Sequence, residues 1–165
     1  MFQTLLLAID DSPASAVATD FATAYAKHCG SSVHVLHVNE HQVGGRGLTL
    51  LTTAEATELV TGAVTQLREA GVRAGGSIVI ASYRDVPARI AAIAASRGAD
   101  AIVLGSRRER RLGRLFSPHV RTRTTRLTSL PVLTAPAPLR IGRRSRRGID
   151  ELAKEQLPHD PVKLP

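Results

Sequence analysis

One stretch of this sequence joins a buried-looking strand to residue types that bind phosphate. The apolar run that starts at Asp100 ends at Gly105 and Ser106, and the next residues read Arg-Arg-Glu-Arg-Arg. In α/β proteins, the loop after such a strand is a common phosphate site. Glycine loops bind phosphate through backbone N–H groups, whereas arginines bind it through guanidinium forks. The pattern therefore indicates a nucleotide site that is lost, rebuilt or turned to another anion.

The arginines of this loop are the candidate anion-binding residues, namely Arg107, Arg110, Arg111 and Arg114. Binding through charge alone should be promiscuous among phosphates, sulfate and nucleic acid, and should weaken as salt rises. The alternative is a solvated surface, because arginine greatly outnumbers lysine along this chain and coding bias would produce the same run. Phe116 is the one aromatic residue nearby, so sequence-specific nucleic-acid binding is not supported.

Charge is spread unevenly along the chain. Residues 1–105 hold 7 Lys+Arg and 9 Asp+Glu, a net charge of −2, whereas residues 106–165 hold 15 and 5, a net charge of +10. Basic character concentrated in one third of a protein favours an anionic partner for that third.

Length and composition narrow the class of protein. The 165 residues suffice for one ordinary domain, and with 3% aromatic residues the core must be aliphatic, which suits helices packed on a parallel sheet. No run approaches the roughly 18 apolar residues of a membrane span, and the strand-like run at the start of the sequence has no basic segment before it, so we expect no secretory signal. The lone Cys29 favours a reducing compartment. We expect a cytoplasmic protein without membrane association.

Strand-like and helix-like segments alternate along residues 1–136. Strands are predicted over 4–9, 32–38, 72–81, 100–105 and 131–135, with a loop over 39–51. Helices are predicted to start at the Ser-Pro pairs Ser12 and Ser117, at the capping box of Thr52, and at Asp85. This order predicts a single α/β domain with a doubly wound parallel sheet and helices on both faces.

The remaining residues, 137–165, form a separate basic and proline-containing tail. Within it, residues 149–157 have the spacing of one short helix, with Ile149, Leu152, Ala153 and Leu157 on its apolar side. Such a helix is marginal alone and needs a surface to pack on.

Several motifs taken together resemble the universal stress protein family over roughly residues 1–135. The runs that carry the resemblance are Ala8-Ile9-Asp10, Ser12-Pro13-Ala14-Ser15, Val103-Leu104-Gly105-Ser106 and Ser129-Leu130-Pro131-Val132-Leu133. The resemblance implies a five-stranded parallel sheet of order 3-2-1-4-5. It also implies a homodimer formed through strand 131–135 and, for a subset of members, ATP binding.

The ATP-binding members of that family carry Gly-x2-Gly-x9-Gly-Ser/Thr after the fourth strand. Here the first glycine is Gly105, but the next positions fall on Arg108, Pro118 and His119. Arg108 adds a side chain where the backbone must approach phosphate closely, and Pro118 removes an N–H donor. His119 stands where members have a hydroxyl, either as a phosphate donor or simply exposed. The usual phosphate cradle is therefore expected to be absent.

Other parts of the family's nucleotide site match. Asp10 matches the carboxylate that faces the ribose, although an Asp pair also suits a turn before a helix. Ala8 and Val38 match positions that line the adenine pocket. The full set of candidate nucleotide-binding residues is Ala8, Asp10, Val38, Leu104, Gly105, Ser106, Arg108, His119 and Val120. The candidate cofactor is ATP or another adenine nucleotide, weakened by the altered glycine motif.

No metal or hydrolase site emerges from the remaining chemistry-bearing residues. His34 and His37 lie three apart in a strand, so their side chains point to opposite faces and cannot chelate one ion. Ser117 has no His and Asp partners at a recognisable spacing.

Three functional classes follow. The first is a non-catalytic, stress-associated regulatory protein whose ATP site is altered or lost. The second is a nucleotide-binding protein, with slow ATPase activity at most, in which arginines replace the glycine loop. The third is a basic accessory protein that binds nucleic acid or another polyanion. The altered glycine motif favours the first over the second, and scarce aromatics weigh against the third as a sequence reader.

Overall fold

Nine regular elements alternate along the described chain of this computed structural model, which covers residues 1–41, 51–106 and 118–135. The strands are β1 (Thr4–Ile9), β2 (Ser32–His41), β3 (Arg73–Ser82), β4 (Ala101–Gly105) and β5 (Val132–Ala135). The helices are α1 (Pro13–Cys29), α2 (Thr53–Glu69), α3 (Val86–Ser96) and α4 (Pro118–Leu127). The tail 137–165 and its predicted short helix lie outside the described residues.

The strands form one parallel sheet of order β3-β2-β1-β4-β5, which confirms the predicted doubly wound fold and strand order. From the central β1, the chain builds outward to β2 and β3 and then returns to add β4 and β5 on the other side. The point where the order reverses therefore lies between the carboxyl ends of β1 and β4. Ligands of open α/β sheets bind at that position.

Two aliphatic cores lie on opposite faces of the sheet, because alternate side chains of a strand point to opposite sides. Leu5 and Leu7 of β1 belong to the core that includes residues of α1 and α2. Leu6 and Ala8 belong to the core that includes residues of α3 and α4. Burial of both faces explains why the central strands are continuous apolar runs without polar alternation.

The second strand is longer than predicted. The sequence indicated a loop from residue 39, but β2 continues to His41, and its last residues, from Asn39 onward, pair with β3 residues 80–82. The side-chain amide of Asn39 also donates to the Leu51 carbonyl at 2.9 Å. Polar residues are tolerated here because a ladder of backbone hydrogen bonds with the equally long β3 holds the segment.

The helices differ in whether a side chain at the N-cap position hydrogen-bonds to the first turn. At α2, the Thr52 hydroxyl accepts from the Glu55 N–H while the Glu55 carboxylate accepts from the Thr52 N–H, as the capping box predicted. Ser12 occupies the N-cap position of α1 but makes no side-chain capping bond, and Asp85 at α3 makes none either. The Ser12 side chain is therefore free for another role. No helix in the described part of the chain is both long and apolar enough to cross a bilayer.

Gly105 ends β4 directly against the first turn of α1. A Cβ added at Gly105 would lie 2.8 Å from the carbonyl oxygen of Ala14 and 3.1 Å from its Cβ. Real Cβ atoms do not approach backbone oxygen so closely, so only glycine lets β4 and α1 meet at this distance. The first glycine of the loop therefore has a packing role in addition to any role toward a ligand.

We expect Gly105→Ala to lower the free energy of unfolding by about 1–3 kcal/mol, as overpacking of a fixed backbone contact does. Gly75 in β3 is the matched control, because a Cβ there meets no atom within 4 Å. Gly75→Ala should be neutral or stabilising by up to about 1 kcal/mol. Urea denaturation of both variants measures the difference. Equal stability of the two variants would show that the α1–β4 contact is not tight.

Candidate functional site

The carboxyl ends of the central strands bring several predicted site residues to one edge of the sheet. Asp10 follows β1 directly, and Gly105 with Ser106 closes β4, the strand beside β1. Val38 lies in β2, the other neighbour of β1. Asp10 and Gly105 thus flank the switch point between β1 and β4.

The apolar members of the predicted site share one environment. Ala8, Val38, Leu104 and Val120 all belong to the core on the α3–α4 face, and each is at most 6% exposed. They come from β1, β2, β4 and α4, so four separate elements converge beneath this end of the sheet. As placed, these side chains are part of the packed core on that face.

Asp10 is held in place by its own chain. Its Oδ1 accepts hydrogen bonds from the Ser12 N–H and from the Ser15 hydroxyl, both at 2.9 Å. The Ser15 hydroxyl oxygen in turn accepts from the Asp10 N–H at 2.7 Å. This closed set of bonds fixes the carboxylate at the start of α1. Within the described residues, Oδ2 makes no hydrogen bond, which leaves one carboxylate oxygen for a ligand.

Burial raises the pKa of Asp10 above its ordinary value of 3.8. Asp10 is only 3% exposed, so loss of hydration disfavours the charged form of its carboxyl group. The Ser12 hydroxyl, then the Ser12 backbone N–H and the Ser15 hydroxyl, act in the opposite direction and lower the pKa, while the nearby charge of Asp11 raises it slightly further. Burial outweighs them, which marks Asp10 as a group held at a cost to stability.

Ser12 is a site residue that sequence reasoning missed. Its hydroxyl is buried and lies close enough to the Asp10 carboxylate to lower the pKa of that group, but it is not aligned for a hydrogen bond to any described residue. A buried hydroxyl without a partner costs free energy, so such groups are exceptions that call for a reason. The Ser-Pro pair suggested only a helix cap, and no sequence signal distinguishes a capping serine from one that leaves its hydroxyl unused. Its position beside Asp10 makes it a second polar group at the switch point.

The two strand histidines make separate contacts, as the opposite-face prediction required. His37 is 3% exposed, and its Nδ1 lies 3.0 Å from the Ile9 carbonyl oxygen, which can only accept, so Nδ1 carries the hydrogen. This bond ties β2 to the last residue of β1, directly before Asp10. His34 instead contacts the Ser77 hydroxyl at 2.8 Å, and burial, together with the charge of Arg97, lowers its pKa.

The segment between β4 and α4 is where the resemblance places the phosphate groups, and only its two ends are among the described residues. Ser106 is half-buried after β4, and α4 starts at Pro118, whose nitrogen has no hydrogen to donate. Only the backbone of His119 is described, in the first turn of α4. The arginines assigned to anion or nucleotide binding lie outside the described residues, namely Arg107, Arg108, Arg110, Arg111 and Arg114. In the described part, no group of three His, Cys, Asp or Glu residues is arranged to hold a metal ion.

We expect Asp10→Asn to make the protein more stable at neutral pH. Because the folded pKa of Asp10 is raised, the free-energy cost of folding with this carboxylate is absent below about 3.8, grows as pH rises from there, and is complete above the folded pKa. Asparagine keeps an oxygen for the Ser12 and Ser15 bonds but carries no charge. The advantage of the variant over the natural protein should therefore shrink as pH falls toward 4.

Urea denaturation at several pH values tests this, with Asp11→Asn as the matched control. Asp11 is exposed and contributes least to the raised pKa of Asp10, so its variant should keep most of the pH dependence. A stability difference between Asp10→Asn and the natural protein that does not change with pH would contradict the buried-charge account.

Known proteins share both the sequence pattern and the fold of this chain. The model of the universal stress protein family matches residues 1–136. A universal stress protein from Archaeoglobus fulgidus is 25% identical over 82% of this chain and all of its own length, with a TM-score of 0.64. One from Burkholderia pseudomallei is 24% identical, covering 82% of this chain and 96% of its own, also at 0.64.

A structure from Archaeoglobus fulgidus in complex with dAMP is 23% identical, covers 81% of this chain and 98% of its own, and has a TM-score of 0.58. A search of curated protein sequences found no significant match. The family match over nearly the whole described chain agrees with the sheet order and with the residues at the ends of β1 and β4. The chain belongs to the universal stress protein family.

Proposed function

We propose that this protein is a non-catalytic regulatory member of its family that binds an adenine nucleotide through the nucleoside half of an altered site. The observation that carries the proposal is the switch point between β1 and β4. There, Asp10 offers a fixed carboxylate with one free oxygen, and Ser12 offers an unpartnered hydroxyl. Carboxylate and hydroxyl groups at this position suit the hydroxyls of a ribose.

A relative of the same fold supports the choice of ligand class. The Archaeoglobus fulgidus universal stress protein structure that is 23% identical to this chain was solved in complex with dAMP, a nucleotide with one phosphate. The nucleoside side of the site is retained in this chain by Ala8, Asp10 and Val38, which match the family's adenine and ribose positions. A monophosphate makes fewer demands on the glycine cradle than a triphosphate does.

The residues expected to bind phosphate differ from the family's glycine motif. Of the family's four motif positions, only Gly105 is retained, and its close contact with Ala14 gives it a packing reason to remain. Pro118 at the first position of α4 removes one N–H from a helix start that would otherwise face an anion. A triphosphate therefore loses backbone donors and gains only the charge of the arginine loop.

We expect AMP and ATP to bind with similar and weak affinity, with dissociation constants of about 0.1–1 mM. Asp10→Ala should weaken both by a similar factor, because the carboxylate acts on the nucleoside that they share. Isothermal titration calorimetry at fixed salt measures the constants, and Asp11→Ala, at an exposed neighbouring carboxylate, is the control.

Two results would favour the alternatives. Micromolar ATP binding that is abolished by Asp10→Ala, or release of phosphate from ATP that Asp10→Ala abolishes, would indicate a working nucleotide-binding or ATPase site. Tight binding of long nucleic acid in place of nucleotides, steeply weakened by salt, would indicate the polyanion-binding accessory protein.

We further propose a cytoplasmic homodimer formed through β5. This short strand ends the described sheet on one side, and an unpaired strand edge favours pairing with another chain. The partly buried Val132, Leu133 and Thr134 carry no charge. The arginine-rich tail opposes pairing, since a second copy would bring like charges together. The lone Cys29 fits a reducing cytoplasm.

The dimer fraction should rise with ionic strength, since screening at 0.15 M salt shortens charge repulsion to about 8 Å. Static light scattering at high protein concentration, over a salt series, measures the mass. A monomer at every salt concentration would contradict the proposed dimer, and a dimer that dissociates as salt rises would show that attraction between charges, not the strand edge, holds it.

A further inference from the structure

A surface groove lies between α4 and β5, apart from the switch point of β1 and β4. It is an open groove of about 290 Å³. Its lining residues are Arg121, Thr122, Thr125, Arg126, Val132 and Thr134. The two arginines lie five residues apart on α4, and the two β5 residues lie on the same face of that strand. None of the candidate nucleotide-binding residues lines this groove.

Charge is segregated across the sheet. Helices α1 and α2 carry four acidic residues, Asp20, Glu55, Glu58 and Glu69, against two basic ones, Lys27 and Arg68. Helices α3 and α4 and strand β5 carry four arginines, Arg89, Arg121, Arg123 and Arg126, and no acidic residue. The groove is therefore set in the basic half of the fold, where its own helix and strand supply no counter-charge.

The groove presents hydrogen-bond donors without a carboxylate. Arg121 is half-buried and Arg126 exposed, and neither guanidinium makes an ion pair in the part of the chain that the structure describes. Thr122 and Thr134 carry hydroxyls that make no hydrogen bond to any described residue. Thr125 donates to the Arg121 carbonyl at 3.0 Å, so its oxygen is left only as an acceptor.

We propose that this groove is a binding site for a small phosphate-bearing anion. Guanidinium forks bind phosphate oxygens with charge-assisted hydrogen bonds, and hydroxyl donors complete the set around a tetrahedral group. A carboxylate has fewer acceptor oxygens to satisfy two guanidinium groups and two hydroxyls. Val132 gives the groove one apolar wall, which a purely solvated charge cluster would lack.

Size and composition favour a small anion over a nucleic-acid strand. A volume of about 290 Å³ is just below the range of small-ligand sites, which run from about 300 to 1,000 Å³. Single-stranded nucleic acid is held on aromatic platforms that stack its bases. Helices α3 and α4 and strand β5 contain no aromatic residue. A diphosphate group fits both the volume and the donor set.

Calorimetric titration of the full chain with pyrophosphate tests the site. The double variant Arg121→Gln/Arg126→Gln should bind pyrophosphate at least about 10-fold more weakly than the natural protein, as expected for loss of two charge-assisted contacts. Arg73→Gln is the matched control, because Arg73 is exposed at the start of β3, at the opposite edge of the sheet. This control should bind as the natural protein does.

Two further variants separate this site from the others. A variant with Gln at Arg107, Arg108, Arg110 and Arg111 tests whether pyrophosphate binds to the arginine loop instead. The variant Asp10→Ala should keep the pyrophosphate affinity within about twofold, because Asp10 does not line the groove. If Asp10→Ala loses nucleotide binding but keeps pyrophosphate binding, the nucleotide site and the groove are separate sites, so each proposal can fail without the other. Circular dichroism of each variant verifies the fold.

The lysine pair Arg121→Lys/Arg126→Lys keeps the charge but removes the forks, and should bind with intermediate affinity. Pyrophosphate affinity that survives Arg121→Gln/Arg126→Gln, or that is lost in the loop variant instead, would overturn the proposal. Absence of pyrophosphate binding at low salt would overturn it as well. Preference for long single-stranded DNA over pyrophosphate, lost in Arg121→Gln/Arg126→Gln, would assign the groove to nucleic acid.

Discussion

The close contact between the end of β4 and the first turn of α1 is the constraint on which the site depends. Because Gly105 has no Cβ, the β4 backbone meets Ala14, and α1 begins directly over the reversal of strand order. That placement carries Ser12 and Ser15 to Asp10, whose carboxylate they hold. His37 fixes the same end of β1 from the other side, by its bond to the Ile9 carbonyl. One packing contact and three polar ones thus define the position of a single carboxylate.

Burying the Asp10 carboxylate lowers the stability of a fold whose centre is otherwise aliphatic. The core side chains on both faces of the sheet gain from burial, whereas burial of Asp10 disfavours its charged form and raises its pKa. Ser12 adds a buried hydroxyl without a partner. Two polar groups held at a cost, side by side, at the ligand position of an α/β sheet are better explained by binding than by stability.

The fold was predictable because its signals are periodic and local. Alternating strand and helix patterns, the capping box at Thr52 and the Ser-Pro helix starts all survived in the structure, and motif order gave the sheet order through family resemblance. The predicted end of β2 was wrong, because the polar sequence from Asn39 onward is typical of a loop. Only its pairing with the long β3 shows that it is a strand. Ser12 and the α4–β5 groove were missed, because an unused hydroxyl and a cavity arise only from tertiary packing.

The distribution of charge over the folded protein differs from its distribution along the chain. Along the chain, the positive charge looks like a property of the last third, and arginine-rich coding would account for much of it. In the fold, α3 and α4 pack on one face of the sheet, next to its edge strand β5, and these three elements contain no acidic residue, while the acidic residues of α1 and α2 lie on the other face. Coding bias explains why arginine replaces lysine, but it does not explain why acidic residues are absent from the same three elements. A surface kept free of counter-charge and lined with hydroxyls is what anion binding requires.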